Sequence, residues 1–154
     1  FDTHPLIKGE SLILGGINIK SELGTKGHSD GDVLIHSIID SLLGALSKRD
    51  IGFHFPSSNS KFKDISSCEL LKKVIEVINQ EGYRISNIDV TIILEYPQIS
   101  KYVDSIIKNI SEEIKLEPNQ ISVKITTNDG LGFIGKSEGV SAIATSLIIK
   151  EKNN

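Results

Sequence analysis

Cysteine is almost missing from this sequence: Cys68 is the only one in 154 residues. One thiol excludes an internal disulfide framework and fits a reducing compartment. Long apolar runs are missing too, and nothing approaches the roughly 20 residues needed to cross a bilayer. Neither sign of charge prevails. Seventeen Lys and Arg against 20 Asp and Glu leave a net charge of −3, and the charges are interspersed, so no basic surface for nucleic acid is indicated. No signal peptide is visible. Methionine is absent and the chain opens inside what reads as a strand, so we expect residues upstream of Phe1 to be missing, as after loss of a targeting leader. Lysine outnumbers arginine fifteen to two, a bias we assign to genome composition. The length suits one domain with a real core.

What is present concentrates in nine residues, His28-Ser-Asp-Gly-Asp-Val-Leu-Ile-His36, where a loop turns into a helix. Val33, Leu34, Ile35, Ile38, Ile39, Leu42, Leu43 and Leu46 follow with helical spacing. Ser29, three residues before Asp32, resembles a capping arrangement. Asp32, His36 and Asp40 are four apart and form one polar stripe on an apolar cylinder. The chain opens Phe1-Asp2-Thr3-His4, and on an extended strand Asp2 and His4 share a face. With His36 they make three ligands of the kind a catalytic zinc accepts, leaving a fourth position for water or a substrate oxygen.

Residues 11 to 19 read as a hairpin or short strands around Gly15-Gly16, and residues 20 to 27 as a polar loop. Asp50-Ile51-Gly52 breaks the first helix and exposes a carboxylate and free amides, and 57 to 63 is a polar loop. Ser66 and Glu69 form a capping box for a second helix, which Gly82 ends. Residues 88 to 95 alternate as a strand, a third helix carries Val103 to Ile114, and 121 to 125 and 139 to 150 are strands. His54 reads as a surface or loop histidine. The order β-β-α-α-β-α-β-β predicts an α+β fold, a mixed sheet with long helices on one face. Ile and Val occupy both faces of the strands while helices cover only one, so we expect a cyclic homo-oligomer with its sheets facing inward.

Thr126-Thr127-Asn128-Asp129-Gly-Leu-Gly follows a strand, and its amides suit phosphate oxygens. Asp129 could hold Mg²⁺ between phosphates. Three readings compete at this level. The first is phosphoryl transfer at a zinc-plus-magnesium site. The second is a 2-His-1-carboxylate iron oxygenase, against which the phosphate-friendly loop weighs. The third is an oligomer with structural zinc, which three ligands without a fourth argue against.

In order along the chain stand D-x-H, HSDGDVxxH, D-I-G-x-x-F-P at 50–56, a strand ending in Thr-Thr, and L-G-F-x-G-x-x-E-G at 131–139. Over essentially all 154 residues this resembles the 2-C-methyl-D-erythritol 2,4-cyclodiphosphate synthases of the non-mevalonate isoprenoid pathway. The resemblance implies a single synthase domain over 1–154, a homotrimer with active sites between subunits, and a CDP-methylerythritol 2-phosphate substrate whose 2-phosphate attacks its own β-phosphate and expels CMP. By position, it implies zinc on Asp2, His4 and His36, and Mg²⁺ or Mn²⁺ on Asp129 with Thr127 nearby. His28, Ser29, Asp50 and Gly52 would surround the methylerythritol, and residues 94–100 with Thr126 of the adjacent subunit would read the cytosine. Lys136, with Glu138, would line a central channel that takes isoprenoid diphosphates. The implied location is a plastid or apicoplast stroma if a leader has been removed, and otherwise a bacterial cytoplasm. Departures from the family pattern are Asp129 for Glu, Gly130 for a basic residue, Ser57-Ser58-Asn59 for a loop with two aspartates, Gln98 for a basic residue and Lys136 for Arg.

Overall fold

Helix α1, Val33–Ala45, is the axis of the fold. Val33, Leu34, Ile35, Ile38, Ile39, Leu42 and Leu43 are all buried, so apolar side chains cover most of its cylinder rather than one stripe. Such a helix needs cover on nearly every side. A five-stranded sheet supplies it below and helix α3, Ser67–Gln80, beside it. Each fully buried Leu or Ile adds about 1.5–3 kcal/mol of transfer free energy. The structure, a computed structural model, describes residues 1–27, 29–62 and 65–151.

Seven strands and three further α-helices complete the chain among the described residues. They are β1 (Asp2–Lys8), β2 (Leu12–Leu14), β3 (Ile17–Ile19), β4 (Leu23–Thr25), α2 (Ile51–His54), β5 (Tyr83–Ile93), α4 (Val103–Ile114), β6 (Ile121–Thr126) and α5 (Gly132–Gly135), before β7 (Gly139–Lys150). The sheet order is β4-β1-β7-β5-β6, with β5 and β6 parallel and every other pair antiparallel. Helix α4 makes the parallel crossover. Helices α1, α3 and α4 cover one face, so the predicted α+β layer is the observed one. Along β5, Ile88, Val90 and Ile92 are buried beneath the helices. On the opposite face of β7, Ile143, Leu147 and Ile149 are 47%, 54% and 38% exposed.

The hairpin of β2 and β3 turns through Gly15 (φ +61°) and Gly16 (φ +76°). Two successive left-handed residues make the primed turn that matches strand twist, and glycine adopts it at least cost. Asp32 locks this turn to α1. Its carboxylate accepts from Gly15 N at 3.0 Å, Gly16 N at 2.7 Å and Ile35 N at 3.1 Å. Asp32, not Ser29, is therefore the N-cap, and its place in the polar stripe is structural. Burial pushes its carboxyl above the usual carboxylate range, against the pull of those amides. Asp32→Ala is expected to cost roughly 2–5 kcal/mol in a denaturant titration, by loss of the cap and desertion of two hairpin amides. A loss below about 1 kcal/mol would contradict this role.

Several expectations shift in detail. Residues 23 to 25 form the edge strand β4 rather than a loop, because the chain pairs with β1 there. Asp50 starts the short helix α2 instead of exposing free amides: it is the N-cap and accepts from Phe53 N at 2.9 Å. His54 lies in that helix, its Nε2 2.8 Å from Lys48 O. The strand expected from residue 88 begins at Tyr83, just past Gly82 (φ +73°). Ser66 caps α3 through Cys68 N, without a reciprocal bond from Glu69. Part of the 57–63 loop, and His28, lie outside the described residues.

Candidate active site

Strand alternation sends Asp2, His4 and Leu6 toward the helices and Thr3, Pro5 and Ile7 away. Asp2 sits opposite Ala142 and His4 opposite Val140, both buried under α1. From α1, His36 reaches down between them and is itself buried. One carboxylate oxygen and two ring nitrogens converge. Asp2 Oδ2 lies 2.8 Å from His4 Nε2 and 3.0 Å from His36 Nδ1, and the two nitrogens are 3.2 Å apart. A tetrahedral ion at about 2.05 Å from each ligand would set them about 3.3 Å apart, close to what is seen.

The outer contacts direct these atoms inward. His4 Nδ1 faces Lys26 O at 3.3 Å, leaving Nε2 for the cluster. Asp2 Oδ1 accepts from Thr3 N at 2.9 Å, leaving Oδ2. His36 Nε2 meets Ser29 Oγ at 2.9 Å and Ser67 Oγ at 2.8 Å, leaving Nδ1. Burial works to raise the Asp2 carboxyl, but hydrogen bonds from His36 and His4 outweigh it and hold the carboxyl well below the usual range. Burial likewise opposes charge on His4, and the Asp2 bond and charge overcome it, so His4 titrates above its ordinary value. Two imidazoles and one carboxylate with an open side fit a divalent metal, and the three could hold one.

The cluster forms one wall of a cleft of about 320 Å³. Ser29 joins the wall, and Ile51, Gly52, Phe55, Pro56 and Phe62 line the rest. Ser57 and Ser58 also border it, without charge. Asp50 does not line the cleft, since one of its oxygens is held at the start of α2.

The second predicted segment lies elsewhere in the chain. The row Thr3, Ser141, Ile93, Thr126 crosses four strands, so Thr126 stands three strand spacings, about 14 Å, from Thr3. Thr126, Thr127, Asp129 and Lys136 are all exposed and none lines the cleft. Thr127 Oγ1 lies 3.4 Å from Asp129 Oδ1, and Asp129 has φ +49°, a left-handed conformation that Asp tolerates. The loop closes tightly: a Cβ on Gly135 would fall 2.1 Å from the carbonyl carbon of Gly130. Two of the amides expected to be open to phosphate are taken by Glu95, which accepts from Asn128 N at 3.0 Å and Gly130 N at 3.3 Å. Sequence reasoning passed over Glu95 because it reads as the polar partner in a strand alternation. It also passed over Ser67 and Lys26, whose roles depend on tertiary contacts that no spacing reveals.

Comparison with known proteins assigns the chain to a family. The model of the YgbB family matches residues 1–149. The 2-C-methyl-D-erythritol 2,4-cyclodiphosphate synthase of Clostridium botulinum (strain Hall) is 50% identical over 148 residues, 96% of each chain. The protein of that name from Halothermothrix orenii is 45% identical over 152 residues, 99% of this chain and 92% of its own. Among solved structures, IspF of Plasmodium falciparum in its CDP complex superposes with a TM-score of 0.86 at 36% identity, covering 98% of this chain and 93% of that one. The bifunctional IspDF of Campylobacter jejuni gives 0.91 at 37% identity over 99% of this chain, which spans 41% of that longer one. With its family motifs, its fold and its Asp2-His4-His36 cluster in agreement, the chain belongs to the YgbB family.

Proposed function

We propose that this chain, as a single cyclodiphosphate synthase domain, converts 4-diphosphocytidyl-2-C-methyl-D-erythritol 2-phosphate to 2-C-methyl-D-erythritol 2,4-cyclodiphosphate and CMP. The observation that carries the reading is the open three-ligand cluster at the wall of a cleft, in a chain 50% identical to a synthase of that name. Asp2, His4 and His36 would hold zinc, which when bound supplies positive charge to the β-phosphate. The attacking 2-phosphate is already an anion, so the residues need to align and neutralise rather than remove a proton. An oxygen of the 2-phosphate forms the new bond to the β-phosphorus, and the bond from that phosphorus to the CMP oxygen breaks. Ser29, Gly52 and the uncharged Ser57-Ser58 border, together with His28 and Asp50, would bind the methylerythritol. Asp129 with Thr127 would hold Mg²⁺ or Mn²⁺ on the diphosphate. Release of CMP from the CDP substrate by the zinc-loaded protein with Mg²⁺ tests the reading. No release would overturn it.

Two residue sets about 14 Å apart in the sheet cannot serve one phosphorus from the same chain. A neighbouring copy can bring its Thr126, Thr127 and Asp129 to this chain's cleft. The exposed Leu131 and Phe133 beside Asp129, and the apolar row of β7, are the surfaces such copies would cover. We infer a cyclic trimer with Ile143, Leu147 and Ile149 toward its axis and Lys136 and Glu138 at a channel mouth, where a lysine attracts an isoprenoid diphosphate without arginine's fork. Light scattering should give three times the 16.8 kDa chain mass. Leu147→Glu should dissociate the assembly and lose activity, since carboxylates would be buried together at the axis. A stable wild-type monomer would contradict the shared site. Among the described residues no helix is long and apolar enough to cross a membrane. The relatives from Clostridium and Halothermothrix are bacterial, which favours a bacterial cytoplasm over a plastid or apicoplast stroma.

A further inference from the structure

His36 can serve a metal through Nδ1 only if Nε2 carries the proton, and the protein around it decides which nitrogen that is. Ser67, at the first turn of α3, is fully buried, with its Oγ 2.8 Å from His36 Nε2. The same hydroxyl donates to Asp30 Oδ1. Since its one proton goes to Asp30, it offers His36 a lone pair, and Nε2 must be the donor. Asp30 is itself held: its Oδ2 accepts from Ser67 N at 2.8 Å, its Oδ1 from Asp32 N at 3.2 Å, and its own N–H donates to Ile65 O at 3.3 Å.

We propose that Asp30 and Ser67 form a relay that fixes the tautomer and ring orientation of His36 as a metal ligand. The relay rests on the metal reading above and deepens it. It explains an acidic residue in the His28–His36 segment that neither touches the cluster nor caps α1. Both are positioning residues, acting through His36. A carboxylate behind the hydroxyl also raises the electron density of the imidazole, which strengthens Nδ1 as a donor. Ser29 alone is a weaker substitute, because no carboxylate among its described contacts orients its hydroxyl.

The test is zinc affinity of the full chain, by competition with a chromophoric chelator, and the visible spectrum of the Co²⁺-substituted protein. Ser67→Ala and Asp30→Asn should each weaken zinc binding by about 10–100-fold and alter the Co²⁺ bands. Ser67→Thr, which restores the hydroxyl, should recover most of the affinity. Ser66→Ala is the control: it removes the α3 cap and should lower thermal stability while leaving zinc affinity at the wild-type level. The relay is overturned if Ser67→Ala and Asp30→Asn both bind zinc as the wild type does. It is equally overturned if Ser66→Ala weakens zinc as much as they do, since loosening of α3 would then explain everything. A wild-type chain that takes up no zinc would remove the metal reading itself and the relay with it, an outcome distinct from the other two.

Discussion

His36→Ala should leave the purified protein with far less than one zinc per chain and no measurable turnover, while its far-UV spectrum stays that of the wild type. The size of the effect follows from the geometry. Asp2 and His4 are neighbours on one strand face, and they converge with a third ligand only because α1 crosses above β1. Removing the imidazole leaves two ligands, too few for the tetrahedral site. The fold should survive, because α1 is held by apolar side chains on its other faces and by Asp32 at its start. Metal analysis with an activity assay reads both arms. Full zinc retention in the variant would end the assignment of His36.

Asp129→Asn should act in the complementary way: zinc content unchanged, turnover lower by about 10²–10³. The amide keeps the shape and the left-handed backbone that Asn also tolerates, and removes the charge that draws a hard cation. Asp129→Glu keeps the charge, so it should retain activity, although its longer side chain suits the positive φ less well. Rates measured against Mg²⁺ concentration for all three proteins decide the matter. An Asn variant with wild-type rates at equal Mg²⁺ would reduce Asp129 to a loop residue.

Legibility followed the range of the interactions. The long elements were plain because periodic apolar residues must face a core, as in α1, α3, α4 and β7. The three-ligand cluster was legible too, because D-x-H on a strand and a histidine in a helix are short patterns with one geometric outcome. What stayed hidden was set by tertiary contact. Asp32 reads as part of a functional stripe, yet its oxygens serve a hairpin turn sixteen and seventeen residues away. The edge strand β4 carries glycine and threonine and exists because β1 lies beside it. Glu95 alternates like any strand polar residue, and only the fold brings it to the amides of Asn128 and Gly130. Asp30 and Ser67 are 37 residues apart and meet only when α3 packs on α1.

The most direct test of the proposed reaction is ³¹P NMR of the zinc-loaded protein with 4-diphosphocytidyl-2-C-methyl-D-erythritol 2-phosphate and Mg²⁺. CMP alone is insufficient, since simple hydrolysis releases it as well. Cyclisation predicts CMP and a product with two mutually coupled phosphorus signals, appearing in equal amounts as the substrate disappears. CMP accompanied by a linear bisphosphate with two uncoupled signals, or no consumption of substrate, would contradict it.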